Sequence, residues 1–258
     1  MPPATAKPVI LFLHGLGCYG LYYQAFFDAL ATHGYRVVAP ALRGFGINPQ
    51  QPGDIAHYQV WLDDIDQVVD ETKRSHPHEP ITLMGESFGA MLALLLAQRH
   101  CFDGIVICAP VLKRRIPARW SEIWSFAWGL CNRPDRPSVY TGGRERWGSR
   151  NNDFIRRSNQ DPRFIKTFSP RLLWQLQRLT WAARRVRSLT MPLLFIQGEQ
   201  DYITDPAYNG RFFNRLSCPQ KEFLSIPRAM HCLFFDAEAL PIIQEKMSRW
   251  LPMIQIQS

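Results

Sequence analysis

Short, wholly apolar runs alternate along this chain with longer stretches in which apolar residues recur at helical spacing. Residues 9–13 are apolar throughout and too few for a helix, which predicts a strand buried on both faces. A helical stretch over about 21–33 is closed by Gly34, and residues 35–39 read as a second strand. Over 55–75 the apolar positions Tyr58, Trp61, Leu62, Ile65, Val68 and Val69 keep helical spacing, with Asp63, Asp64, Asp66 and Asp70 on the opposite face. Residues 80–84 predict a third strand, 90–97 a helix, and 104–108 a fourth strand halted by Ala109-Pro110. The alternation then stops. It resumes with a strand at 192–196, a helix around 207–216, a strand around 223–226 and a closing helix over about 238–250. Repeated strand-helix alternation predicts an α/β class: a mostly parallel sheet covered by helices on both faces.

The interruption at 111–190 has its own composition, so the expected division is a core of 1–110 and 191–258 with a helical cap at 111–190. The cap holds 18 lysines and arginines against 5 acids, a net of +13, whereas the remainder holds 12 against 17, a net of −5. Six of the eight tryptophans also fall inside it. One predicted helix places Trp120, Ile123, Trp124, Ala127 and Trp128 on a single face; another starts at Ser169-Pro170, a good N-cap and first-turn pair, and runs past Trp181. The plainest expectation is that these helices bury their aromatics against the core and turn arginine outward. The alternatives are peripheral docking on an anionic lipid surface or steering of an anionic substrate. Nucleic acid is the less expected partner, because no nucleic-acid motif accompanies the charge.

At 258 residues the chain can bury a sizeable core, and no run approaches the length of a bilayer span. Its first eight residues carry no small-residue cleavage site, so no signal peptide is expected. The six cysteines have irregular spacing and no CxxC pair, which argues against a zinc site or a disulfide framework. Reduced thiols in the cytoplasm, with membrane contact limited to the periphery, are the expected setting.

The candidate chemistry lies between the third strand and its helix, in Gly85-Glu86-Ser87-Phe88-Gly89. By chance a chain this long shows Gly-x-Ser-x-Gly about one time in ten, so the pattern counts only through its context. On a sharp strand-to-helix turn the serine hydroxyl projects above the sheet edge, and the free N–H groups of the helix start stabilise negative charge there. A serine hydroxyl is a weak nucleophile without a base, and the base needs an acid to fix its tautomer and stabilise its charged form. Of seven histidines, only His231 lies in a loop after a late strand. Asp201 follows the strand at 192–196 on the same sheet edge, whereas Asp205, before Pro206, reads as a helix N-cap. The order Ser87, Asp201, His231 is the one expected of an α/β-hydrolase.

Further pieces extend the match: His14-Gly15-Leu16-Gly17, Arg43-Gly44-Phe45-Gly46, Ala109-Pro110, Gly198-Glu199-Gln200-Asp201 and Met230-His231. With these the chain resembles α/β-hydrolases of the monoglyceride lipase and lysophospholipase-like group, of the serine aminopeptidase S33 type. The resemblance implies a helical cap inserted after the sixth strand and an oxyanion hole made by the Leu16 and Phe88 N–H groups. It departs from the group at Glu86, where monoglyceride lipases usually have histidine, and at Ala41, where many relatives carry aspartate. His14, Gly15, Glu86, Trp124 and Trp128 are the expected pocket residues; His14 is read either as orienting the oxyanion loop or as a packed histidine. The expected activity is ester hydrolysis through an acyl-enzyme, on a monoacylglycerol, lysophospholipid or other medium acyl ester, with no metal or cofactor. Thioester, amide or carbon–carbon hydrolysis by the same residues is the alternative, and a non-catalytic binding protein on the same fold is the alternative of another class.

Overall fold

The computed structural model describes residues 7–48, 50–143 and 145–254; residues 1–6, within the segment read above for a signal peptide, lie outside it. The core elements are β1 (Val9–Leu13), α1 (Gln24–Thr32), β2 (Arg36–Val38), α2 (Tyr58–Ser75), β3 (Ile81–Glu86), α3 (Phe88–Leu96) and β4 (Gly104–Cys108). The insert holds α4 (Trp120–Asn132), β5 (Val139–Tyr140), α5 (Glu145–Gly148), α6 (Asn152–Gln160), β6 (Thr167–Phe168) and α7 (Pro170–Arg184). The core resumes with β7 (Leu193–Gly198), α8 (Pro206–Arg215), β8 (Lys221–Ile226) and α9 (Ala239–Trp250). The helix expected over 21–33 begins as a 3-10 turn, Gly20–Tyr23, and continues as α1. The helix expected from 55 starts at Tyr58, capped by the His57 ring, which accepts the Gln59 N–H at 3.2 Å.

The main sheet runs β2-β1-β3-β4-β7-β8, with every neighbouring pair parallel. Because successive strand residues point to opposite faces, the apolar runs feed two cores. Leu11, Leu13, Leu83, Ile105 and Phe195 pack on one face with residues of α2, α3 and α8. Ile10, Phe12, Met84, Val106 and Ile196 pack on the other with α1 and α9. Each such fully buried side chain contributes about 2 kcal/mol relative to exposure, so a strand shifted by one residue would sacrifice both faces.

Three expectations about the insert need correction. Among the described residues four strands precede it, not six, because Val9–Leu13 is the first of them. It is also not wholly helical: β5 and β6 pair antiparallel, with Val139 and Phe168 turned inward. Helix α7 begins as expected, with Ser169 Oγ accepting the Leu172 N–H at 2.9 Å. The buried Asp54 carboxylate takes a hydrogen bond from the Ser169 hydroxyl and pairs with Arg171, which anchors α7 to a core loop. Helix α4 overturns the expectation that its aromatics face the core. Trp120, Trp124 and Trp128 are 79%, 71% and 59% exposed, while α4 turns Glu122 and Gly129 inward.

Candidate active site

Ser87 sits between β3 and α3 with φ 56° and ψ −109°, a backbone region that a residue with a side chain adopts only under strain. The turn closes because Gly89 carries no side chain: a Cβ there would lie 2.1 Å from the Leu13 carbonyl oxygen. The Ser87 N–H donates to the Cys108 carbonyl at 2.8 Å, which fixes the turn against β4.

The three residues read from the sequence come together at this turn. His231 Nε2 lies 2.8 Å from Ser87 Oγ, and His231 Nδ1 lies 2.7 Å from Asp201 Oδ2. Asp201 is fully buried, so its position is set by its hydrogen bonds: Oδ1 accepts the N–H groups of Ile203 at 2.8 Å and Thr204 at 2.9 Å, and Oδ2 accepts from Gln197 Nε2 at 3.1 Å. Gln197 is in turn held by Asn209 at 2.8 Å. Burial by itself lowers the His231 pKa, but the Asp201 charge and hydrogen bond, with Glu86 behind them, leave it above the ordinary histidine value. With Nδ1–H directed at Asp201, Nε2 is free to accept the serine proton. Asp205 instead caps α8, accepting the Tyr208 N–H at 3.1 Å.

Ser87 and His231 open onto a cavity of about 570 Å³ between the sheet edge and the insert. Its wall is mostly apolar, with Met91, Val111, Phe168, Leu173 and Leu176 among its residues. Leu16 and Phe88 line it, and Phe88 as the first residue of α3 has no intrahelical acceptor for its N–H. Gly15 and Glu86 line it too. Trp124 and Trp128 do not, because the face of α4 that reaches the cavity carries Glu122, Ile123 and Phe126; the tryptophan on the wall is Trp174 of α7. His14 stands behind the wall, where its Nδ1 contacts the Gly15 carbonyl at 2.9 Å and its Nε2 accepts the Leu42 N–H at 3.2 Å. Burial lowers its pKa to about 4, partly opposed by the Gly15 carbonyl, so the ring is neutral and ties the loop after β1 to the loop after β2.

Glu86 is buried beside the serine, and its Oε2 accepts the Tyr23 hydroxyl. Burial raises its pKa to about 7, against the lowering effects of Tyr23, His231 and the Leu233 N–H, with Asp201 adding to the rise. Tyr23 and Gln197 were not singled out in the sequence. Gln197 carries a readable signal, a polar residue in an otherwise apolar buried strand; Tyr23 is hidden in the aromatic run 22–27.

A parallel sheet covered on both faces, with a strained serine after a central strand and its histidine and aspartate on later loops, defines an α/β-hydrolase. The family model for serine aminopeptidase S33 matches residues 4–238, and the chain belongs to that family. It is 25% identical over 235 residues to phospholipase YtpA of Bacillus subtilis, spanning 89% of this chain and 90% of that protein. To the monoglyceride lipase of Mus musculus it is 28% identical over 210 residues, 79% of this chain and 68% of that one. Among solved structures, the Paleococcus ferrophilus monoacylglycerol lipase superposes with a TM-score of 0.83 at 23% identity, over 95% of both chains. A Saccharomyces cerevisiae monoglyceride lipase superposes with a TM-score of 0.86 at 17% identity, over 100% of this chain and 90% of that one.

Proposed function

We propose that this chain is a serine esterase or lipase that cleaves a carboxylic ester through an acyl-enzyme, with a monoacylglycerol, lysophospholipid or other medium acyl ester as substrate. Ser87 attacks the ester carbonyl as His231 takes its proton; His231 then returns that proton to the leaving alcohol, and Asp201 stabilises the imidazolium between the two transfers. The Leu16 and Phe88 N–H groups receive the oxyanion, each contributing about 3 kcal/mol to lowering the barrier. A water activated by His231 releases the acid. The observation that carries this reading is the Ser87–His231–Asp201 hydrogen-bond series opening onto a mostly apolar cavity of about 570 Å³, a lining suited to an acyl chain.

An aminopeptidase reading is less well supported. The carboxylates on the wall are Glu86 and Glu122, each with one oxygen held, Glu86 Oε2 by the Tyr23 hydroxyl and Glu122 Oε2 by the Arg119 N–H at 3.1 Å, and the insert above them carries a net charge of +13, which disfavours a substrate amine. A fluorophosphonate probe should label the wild type and leave Ser87→Ala unlabelled, and hydrolysis across an acyl-length series of esters and lysophospholipids should show a preference set by chain length. Equal labelling of both proteins, or turnover indifferent to the acyl chain, would sink the proposal.

A second reading concerns where the substrate is met. The exposed tryptophan face of α4, bounded by the exposed Arg119 and Arg133 at its two ends, favours docking of the insert on an anionic lipid surface.

A further inference from the structure

We infer that Glu86 and Tyr23 are positioning residues for the oxyanion loop: the Glu86 carboxylate orients the Tyr23 phenol, and the phenol oxygen holds the Gly15 N–H. The inference rests on the ester-hydrolase reading above for its kinetic consequences, but not for its geometry.

The β1–β3 pairing ends with Leu13 opposite Gly85. Beyond that point the loop after β1 must still be held at a fixed distance from Ser87, and side chains take over the tie that backbone pairing drops. The Gly15 N–H donates to Tyr23 Oη at 3.0 Å, and the Tyr23 hydroxyl donates to Glu86 Oε2, one residue before the nucleophile. Glu86 and Tyr23 are both almost fully buried. The packing is close enough to transmit position: a methyl placed on Gly15 would lie 3.3 Å from Tyr23 Oη, 3.7 Å from Glu86 Oε2 and 3.8 Å from Ser87 Cβ.

A phenol has one proton, so it accepts well from Gly15 only if that proton is committed elsewhere. The rings around Tyr23, those of Phe12, Phe27, Phe234 and Phe235 with centroids 4.6, 6.1, 5.8 and 5.0 Å away, offer no comparable acceptor, and the Cys18 sulfur that also reaches the phenol is a weak one. Glu86 fills that need, and the four rings keep the phenol from swinging aside. Burial, with the Glu86 charge next, drives the Tyr23 pKa well up, so the phenol keeps the proton it donates. The oxyanion donor expected at Leu16 is the next N–H along the chain from Gly15. An acid at position 86 thus has a task at the oxyanion loop, separate from proton transfer at Ser87.

Glu86 also faces His231, Asp201, Cys18 and Cys108, from the loops after β8, β7 and β1 and from the end of β4. Its negative charge raises the His231 pKa, so the neutral Glu86→Gln variant should move the acid limb of kcat/KM to lower pH.

The test compares Tyr23→Phe, Glu86→Leu, their double variant and Glu86→Gln, which keeps an acceptor for the phenol. Tyr23→Phe and Glu86→Leu should each lower kcat on a soluble ester about tenfold with KM within about twofold, less than the loss of an oxyanion donor outright. The double variant should be no slower than the slower single, because both break the same chain, and Glu86→Gln should stay within about threefold of wild type at its pH optimum. Amide hydrogen exchange supplies a readout independent of turnover: protection of the Gly15 N–H should fall in Tyr23→Phe and Glu86→Leu and persist in Glu86→Gln. Unchanged Gly15 protection in Tyr23→Phe, or additive losses in the double variant, would overturn the inference. An inert wild type would instead overturn the hydrolase reading, leaving the exchange measurement to decide the tie.

Discussion

The Gly17 carbonyl accepts the backbone N–H of Ile165 at 2.9 Å, so the loop after β1, which carries the proposed oxyanion donor Leu16, is braced by the insert as well as by the core. Asp161 strengthens the brace from the same stretch, accepting the Tyr19 hydroxyl and, at 3.4 Å, that of Tyr22. Gly17 has φ +77°, and a Cβ there would fall 2.4 Å from the Ile165 carbonyl oxygen. Gly17→Ala should therefore strain the turn and push the loop from the insert. The expected result is a kcat lower by about tenfold and a stability loss of about 1–3 kcal/mol, read from ester turnover and urea unfolding. A stability loss with full kcat would mean that the brace does not serve the loop.

Asp201→Asn separates charge and tautomer from position. The amide oxygen can still accept the Ile203 and Thr204 N–H groups, which hold the loop, but the amide nitrogen then faces His231 Nδ1. That drives the proton to Nε2, where it can no longer be accepted from Ser87. We expect kcat to fall on the order of 10³–10⁴-fold with the fold intact. Asp205→Asn is the control: that residue caps α8, and asparagine caps nearly as well, so activity should change by less than about threefold. Equal losses in the two variants would remove the distinction.

Two buried titratable groups, His14 and Glu86, pull stability in opposite directions with pH. His14 has its pKa lowered from 6.5 to about 4 by burial, so between those values the unfolded chain binds a proton that the native one refuses. Its contribution is present above pH 6.5 and is lost as pH falls toward 4, a loss on the order of 3 kcal/mol. Glu86 has its pKa raised by burial from 4.5 to about 7, so the native chain keeps a proton that the unfolded one releases, and stability falls as pH rises across that interval. Urea unfolding from about pH 4.5 to about pH 7.5 should show His14→Gln flattening the acid side and Glu86→Gln relieving the loss on the neutral side. Variants that keep the wild-type slopes would show that neither group titrates as its burial requires.

The strands were legible because each apolar run feeds two buried faces, and Ser87, Asp201 and His231 because their chemistry demands one strand end, one late loop and a set order. Asp201 and Asp205 were separable because Pro206 marks the cap. The insert was read less well. Its helices α4 and α7 follow from spacing and from Ser169-Pro170, but spacing defines a face without saying which way it turns. The tryptophans of α4 therefore gave a pocket that α4 in fact lines with Ile123 and Phe126. The pair β5–β6, two residues in each strand, is too short for a period to register. The tie from Gly15 through Tyr23 to Glu86 joins three separate segments, so local pattern carries no trace of it.

The outward tryptophans make the last prediction. Trp120, Trp124 and Trp128 share the exposed side of α4, and Trp174 and Trp181 of α7 stack edge to face at 5.5 Å with both rings partly exposed. An insert with a net charge of +13 adds long-range attraction to anionic lipid, screened beyond about 8 Å at physiological salt. Indole rings at the headgroup level then supply the short-range part. Vesicles of mixed phosphatidylglycerol and phosphatidylcholine should bind the protein more tightly than phosphatidylcholine alone, and added salt should erode the difference. The double variant Trp124→Ser/Trp128→Ser should lower vesicle partitioning about tenfold while turnover of a soluble short-chain ester stays within about twofold, since neither ring lines the cavity. Equal binding to both vesicle types would leave the charge as solvated surface, and equal partitioning of the variant would leave the tryptophans without a role at the membrane.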